Sequence, residues 1–131
     1  MDTTMIDECD RMSFADIPFP QVVAHHAAAG VHSYRADLIR RQKVCYGDAA
    51  AFYEAAIPLQ DGPEIATAFR DEEVSRAVQA IQRGEIGYDT FLRQIMQAGC
   101  AGYCVFIKGR KVVYFGRDGD CHIENFPDAR A

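Results

Sequence analysis

Residues 98–116, AGCAGYCVFIKGRKVVYFG, decide how the chain is read, because residues 29–47, AGVHSYRADLIRRQKVCYG, repeat their outline. Gly99 follows Gly30 by 69 residues, and at that offset 19–48 aligns with 88–117 without a gap. Ala29, Gly30, Tyr34, Arg41, Val44 and Gly47 then meet the identical Ala98, Gly99, Tyr103, Arg110, Val113 and Gly116. Most other substitutions keep character: Phe19 meets Tyr88, Val22 meets Phe91, Leu38 meets Ile107 and Tyr46 meets Phe115. The pattern predicts an internal duplication of 19–48 in 88–117, joined by a connecting segment, 49–87, within a single domain, 1–131.

Each copy carries the same local signals. Phe91, Leu92, Ile95 and Met96 recur at helical spacing, and Gly99 follows where a left-handed cap favours glycine. FPQVVAHHAAAG does likewise in the first copy, with Pro20 tolerated in an opening turn and Gly30 as the stop. After each glycine come a run of tyrosine and branched residues, a short basic turn and a second such run, which is the signature of a strand pair. In the connecting segment, DEEVSRAVQAIQRG puts Val74, Ala77, Val78 and Ile81 on one helical face. Asp71, Glu72 and Glu73 stand at its positive end. RDGD at 117–120 supplies an Asp-Gly hairpin turn before a last strand in CHIENF. Pro58, Gly62 and Pro63 mark irregular chain. The expected fold is α+β: two helix–hairpin units with pseudo-twofold symmetry, forming an antiparallel sheet with helices on one face.

The run 82–127, QRGEIGYDTFLRQIMQAGCAGYCVFIKGRKVVYFGRDGDCHIENFP, resembles the YbcV-like family of bacterial and prophage proteins, domain of unknown function 1398. The residues that carry the likeness are Gln82 and Gly84, Tyr88 and Phe91, Ala98 and Gly99, Tyr114–Phe115, Asp118–Gly119, and Glu124 with Phe126–Pro127. The first copy, FPQVVAHHAAAGVHSY, is similar to the family's N-terminal portion. The resemblance implies a fold and assigns no catalytic residue.

Composition narrows the function classes. The 131 residues are 49% hydrophobic and 25% charged, which suits a packed core. Net charge is −5, and the one basic cluster, Arg40–Lys43, falls at a hairpin tip, so phosphate neutralisation and nucleic-acid binding are not expected. The helical hairpin around Gly84–Tyr88 has too few basic residues for DNA reading. No apolar run approaches the roughly 20 residues that cross a bilayer. MDTTMIDECDRMSF lacks a basic region followed by an apolar one, so no secretory signal and no membrane partner are expected. The expected address is the cytoplasm, with the five cysteines reduced.

Chemistry-bearing residues are few. Cys100 and Cys104 on one strand would stand roughly 13 Å apart, too far to share a zinc or a disulfide. No cofactor or metal site is expected. His26 aligns with Ile95 on an apolar helical face, so it needs either a hydrogen-bond partner or a pocket around it. Nothing fixes the register that would bring His32 to Cys45.

Alternation predicts that Tyr34, Ala36, Leu38, Val44 and Tyr46 form the core face of the first hairpin, with Tyr103, Val105, Ile107, Val113 and Phe115 in the second. The other face would hold Arg35, Asp37, Lys43 and Cys45, matched by Cys104, Phe106, Val112 and Tyr114. An apolar outer face on the second hairpin demands cover. The connecting segment, a second copy in a homodimer, or a small apolar ligand bordered by Arg35, Asp37 and Tyr114 would each provide it. Two functions follow: a non-enzymatic binding or accessory module using that outer face, or a small enzyme with a pocket between the repeats near His26, Asp37 and Cys45.

Overall fold

The computed structural model describes residues 1–126; Pro127, the last residue of the family likeness, lies outside them. The elements in chain order are α1 (Thr3–Phe14), α2 (Phe19–Ala28), β1 (Ser33–Asp37), β2 (Gln42–Tyr46), β3 (Phe52–Ala56), α3 (Asp71–Gln82), α4 (Tyr88–Gln97), β4 (Cys100–Phe106), β5 (Lys111–Gly116) and β6 (Cys121–Asn125). The six strands form one antiparallel sheet in the order β3-β2-β1-β4-β5-β6, so the fold is α+β. Among the described residues no helix is long and apolar enough to cross a membrane.

The order α, α, β, β, β occurs twice. α2 and α4, and β3 and β6, are offset by 69 residues at both bounds. The central strands β1 and β4 pair through Arg35↔Cys104, two residues that are themselves 69 apart. Gly30 and Gly99, which end α2 and α4, have φ of +89° and +91°, and Arg41 and Arg110, in the two hairpin turns, have +59° and +55°. Left-handed backbone therefore falls at the same two places in each half.

Two elements arise where none was predicted. MDTTMIDECDRMSF, expected only as an acidic N-terminus, forms α1: the Asp2 carboxylate accepts from Met5 N–H at its start, and Ile6 and Cys9 are buried. Within the connecting segment, Phe52–Ala56 forms the edge strand β3 against β2.

The second strand of each hairpin presents the face opposite to the one predicted. Asp37 pairs with Gln42 across a four-residue loop, so Tyr34 stands opposite Cys45, and an even-numbered inward face on β1 becomes an odd-numbered one on β2. Lys43 and Cys45 therefore point at the helices, whereas Val44 and Tyr46 face away. The same parity holds across β4 and β5, where Tyr103 pairs with Tyr114. Val112 and Tyr114, expected on the outer surface, are buried on the helix side at 5% and 6% exposure, while Val113 and Phe115 lie on the other face. Burying Val44 in place of Lys43 would be worth about 2 kcal/mol of transfer. Turn length outweighs it, because a one-residue slip would also turn the fully buried Cys45 outward and shift β2 against β3.

The core lies between the helices and this inward face. Ile6, Val74, Val78, Leu92, Ile95 and Met96 from the helices meet Tyr34, Ala36, Cys45, Tyr103, Val105, Val112 and Tyr114 from the sheet. The opposite sheet face carries Arg35, Cys104 and Phe106; Phe106 is 38% exposed.

Candidate functional site

The inward parity of β2 carries Lys43 into the interior, where its exposure is 6%. A buried ammonium must be paired, and the first two helices supply the partners. The Asp10 carboxylate of α1 accepts a hydrogen bond from Lys43 Nζ in an ion pair, and His26 Nε2 of α2 accepts another at 2.8 Å. The remaining ring nitrogen, Nδ1–H, donates to the Val22 carbonyl one helical turn back at 2.8 Å. Those two bonds fix one neutral tautomer. Burial, reinforced by the charge of Lys43, pushes His26 down to about 4. Burial likewise raises the Asp10 carboxyl against the opposing pull of Lys43. Tyr34 completes the cluster: its ring stacks on His26 at 4.5 Å between centroids, and Lys43 Nζ sits 4.8 Å from its centre.

Beside this polar wall, a cavity of about 580 Å³ opens between helices and sheet, a volume in the range of small-molecule sites. Tyr34, Lys43 and Asp10 line it from the first half, and Tyr88, Tyr103 and Tyr114 from the second. Its exposed lining residues come from the α1–α2 and α3–α4 connections, among them Asp16, Arg83 and Glu85, and from the two edge strands and the chain after β3, Ala56, Pro58 and Asn125, so the cavity opens to solvent along both. Asp16 Oδ1 accepts from Tyr88 N–H at 3.1 Å, capping α4 and tying the two connections together. Rings form much of the wall, with Phe14 edge-on to Tyr88 at 5.0 Å and Phe19 edge-on to Phe126 at 5.4 Å.

Of the residues singled out in the sequence, His26 is buried and satisfied by Val22 and Lys43 and stands behind the cavity wall. Asp37 sits at the hairpin turn, where its carboxylate accepts from Ile39 and Arg40 N–H at 3.0 and 3.1 Å. It shares the outward parity of Arg35, so the sheet separates it from His26. Cys45 is inward but fully buried, and burial raises its thiol to about 11, as it does that of Cys100. The trio His26, Asp37 and Cys45 therefore does not assemble as nucleophile, base and orienting group. Arg35, Cys104 and Phe106 share the outer face, with Arg35 Nε donating to Cys104 Sγ at 3.4 Å. Val112 and Tyr114 line the cavity instead.

Sequence reasoning missed Asp10, Tyr88 and the inward placement of Lys43. A signal for it was present. Extended to α1, the offset of 69 sets Cys9, His26 and Lys43 against Val78, Ile95 and Val112, all three buried.

Among the described residues, no group of three or more His, Cys, Asp or Glu side chains is placed to hold a metal ion. A search of curated proteins finds no match. The model of the family described as "Protein of unknown function (DUF1398)" matches residues 58–125, which hold α3, α4 and β4 to β6. That match spans more than half of the 131 residues, and the chain belongs to this family.

Proposed function

We propose that the protein is a binding module for a small, largely apolar molecule held in the cavity between the helices and the sheet. The observation that carries the reading is the Lys43–Asp10 ion pair in the wall of a ring-lined cavity of about 580 Å³. A buried ion pair is often no more stabilising than apolar residues of equal volume, so a role in recognising a ligand accounts for it better than folding does. The ligand's polar end would meet Lys43 and the tyrosine hydroxyls, and its body the phenylalanine rings. The thiols of Cys9, Cys45 and Cys100 are buried and raised, which favours binding over nucleophilic catalysis. A reducing cytoplasm suits the five unpaired cysteines. The likeness to YbcV-like prophage proteins and the descent of both halves from one duplicated unit belong to the same reading.

A second reading places a partner, such as a second copy of the chain, on the outer sheet face, where Tyr46, Phe52, Phe106 and Ile123 are 38–64% exposed. Adjacent residues of β4 separate the two readings. Val105 is on the cavity floor and Phe106 on the outer face. With 1-anilinonaphthalene-8-sulfonate as probe, Val105→Phe should abolish saturable binding and Phe106→Asp should leave it unchanged. The reverse pattern, with a dimer by native mass spectrometry that Phe106→Asp dissociates, would replace the first reading with the second.

A further inference from the structure

The chemistry the cavity would accept is narrowed by its tyrosines, an inference that rests on the cavity being the binding site. Tyr34, Tyr88, Tyr103 and Tyr114 all line it. Tyr88 Oη and Tyr103 Oη lie 2.5 Å apart in one hydrogen bond, which uses one of their two hydroxyl protons and leaves the other free. Tyr34 and Tyr114 are only 5% and 6% exposed, yet their hydroxyls make no hydrogen bond to the protein among the described residues. No side-chain oxygen or nitrogen there is both sealed from open space and unpartnered. These two hydroxyls must therefore reach open space, and the space beside such buried side chains is the cavity.

The protonation state makes them donors. Burial raises all four phenols, Tyr88 to about 12, so each keeps its proton at neutral pH. Lys43 spends two of its N–H groups on Asp10 and His26, and the Glu124 carboxylate accepts from His122 at 3.0 Å. Among the described residues no hydrogen bond joins either group to the hydroxyls of Tyr34 or Tyr114. Facing the cavity, their protons are open to an acceptor on a bound molecule in place of solvent.

We infer that the cavity recognises an aromatic molecule carrying an acceptor oxygen, a ketone or a carboxylate, which takes hydrogen bonds from the free tyrosine hydroxyls of Tyr34 and Tyr114. The rings of Phe14, Phe19, Phe91 and Phe126 suit a flat aromatic body. The hydroxyls set where its oxygen must lie.

Three probes of equal size test this by calorimetric titration of the full chain: 2-acetylnaphthalene, 2-naphthoate and 2-isopropylnaphthalene. At least one oxygenated probe should bind about tenfold more tightly than the hydrocarbon, the worth of one or two donated hydrogen bonds. The double variant Tyr34→Phe/Tyr114→Phe, which keeps both rings, should erase that advantage, so that the oxygenated probes bind no more tightly than 2-isopropylnaphthalene. The unaltered protein gives an independent readout: the carbonyl stretch of bound 2-acetylnaphthalene should shift to lower frequency. Preference for the ketone or the carboxylate would tell which oxygen is read. Equal affinity for all three overturns this inference and leaves the cavity as an apolar site. No binding of any probe overturns both.

Discussion

The two halves share one order of elements and differ where their helices meet the sheet. In the second, Val78, Ile95 and Val112 fill the junction of helices and sheet, exposed by 2%, 0% and 5%. At the corresponding places the first half has Cys9, His26 and Lys43, exposed by 0%, 1% and 6%, with Asp10 completing the group. Both solutions are buried and both are satisfied, one by packing and the other by an ion pair and two ring hydrogen bonds. The apolar version shows that the scaffold has no need of charge at these positions. The polar version is the feature to be explained, and the proposed binding role of the neighbouring cavity would account for it.

The largest expected effect separates the halves at their helix stops. A Cβ on Gly99 would lie 2.1 Å from the Ala68 carbonyl oxygen, whereas one on Gly30 would meet nothing closer than 3.6 Å. Gly99→Ala should cost about 4 kcal/mol, from a backbone clash added to the left-handed strain. Gly30→Ala should cost about 1 kcal/mol from strain alone. Equal losses in urea unfolding would show that the packing behind the two stops does not differ.

Next comes removal of the ammonium alone. Lys43→Met leaves Asp10 and His26 without their shared partner and should cost about 3 kcal/mol. That is the low end for a broken buried pair, because the Asp10 side chain keeps 22% exposure. A loss within experimental error of zero would mean that the pair is relaxed by solvent in the cavity.

Acid should act through His26 in the first half only. The folded ring titrates near 4 and the unfolded one near 6.5. Between those values the unfolded chain binds a proton that the folded chain refuses, so stability present above pH 6.5 is lost as pH falls toward 4. Asp10 opposes this: its raised carboxyl takes a proton earlier when folded and returns part of the loss. The net decline should be about 2 kcal/mol and should vanish in His26→Ile, as thermal unfolding at pH 7 and pH 4.5 will report. The same decline in His26→Ile would assign it to other groups.

The smallest effect concerns the tie between the halves. Asp16→Ala removes the cap on α4 and should cost about 1 kcal/mol, read as faster amide exchange at Tyr88 and in the following turn. Unchanged exchange there would show that the carboxylate does not hold the helix start.

Much of this architecture was legible because its signals are local. Helix periodicity identified α2, α3 and α4, and the glycines at 30 and 99 marked the ends of α2 and α4, since few other residues adopt φ near +90°. α1 escaped notice because its buried positions, Ile6, Cys9 and Ser13, are sparse and partly polar, and β3 because its burial alternates weakly at the sheet edge. The site was harder to read. Facing in β2 depends on loop parity, which hydrophobic alternation does not encode, and Val44 with Tyr46 made the wrong face look apolar. Lys43 was therefore assigned to solvent. His26 stood out only because Ile95 occupies the matching place, and Asp10 had no such cue, since Gln79 is also polar.

The most direct test converts the polar wall into its apolar counterpart: Cys9→Val, Asp10→Gln, His26→Ile and Lys43→Val in one chain, with the unfolding free energy measured in urea at pH 7. If the wall serves binding, the variant should be as stable as the parent or more stable, by up to about 4 kcal/mol. A loss of 2 kcal/mol or more, by the same order-of-magnitude reasoning, would mean that the wall holds the fold together and would contradict the account.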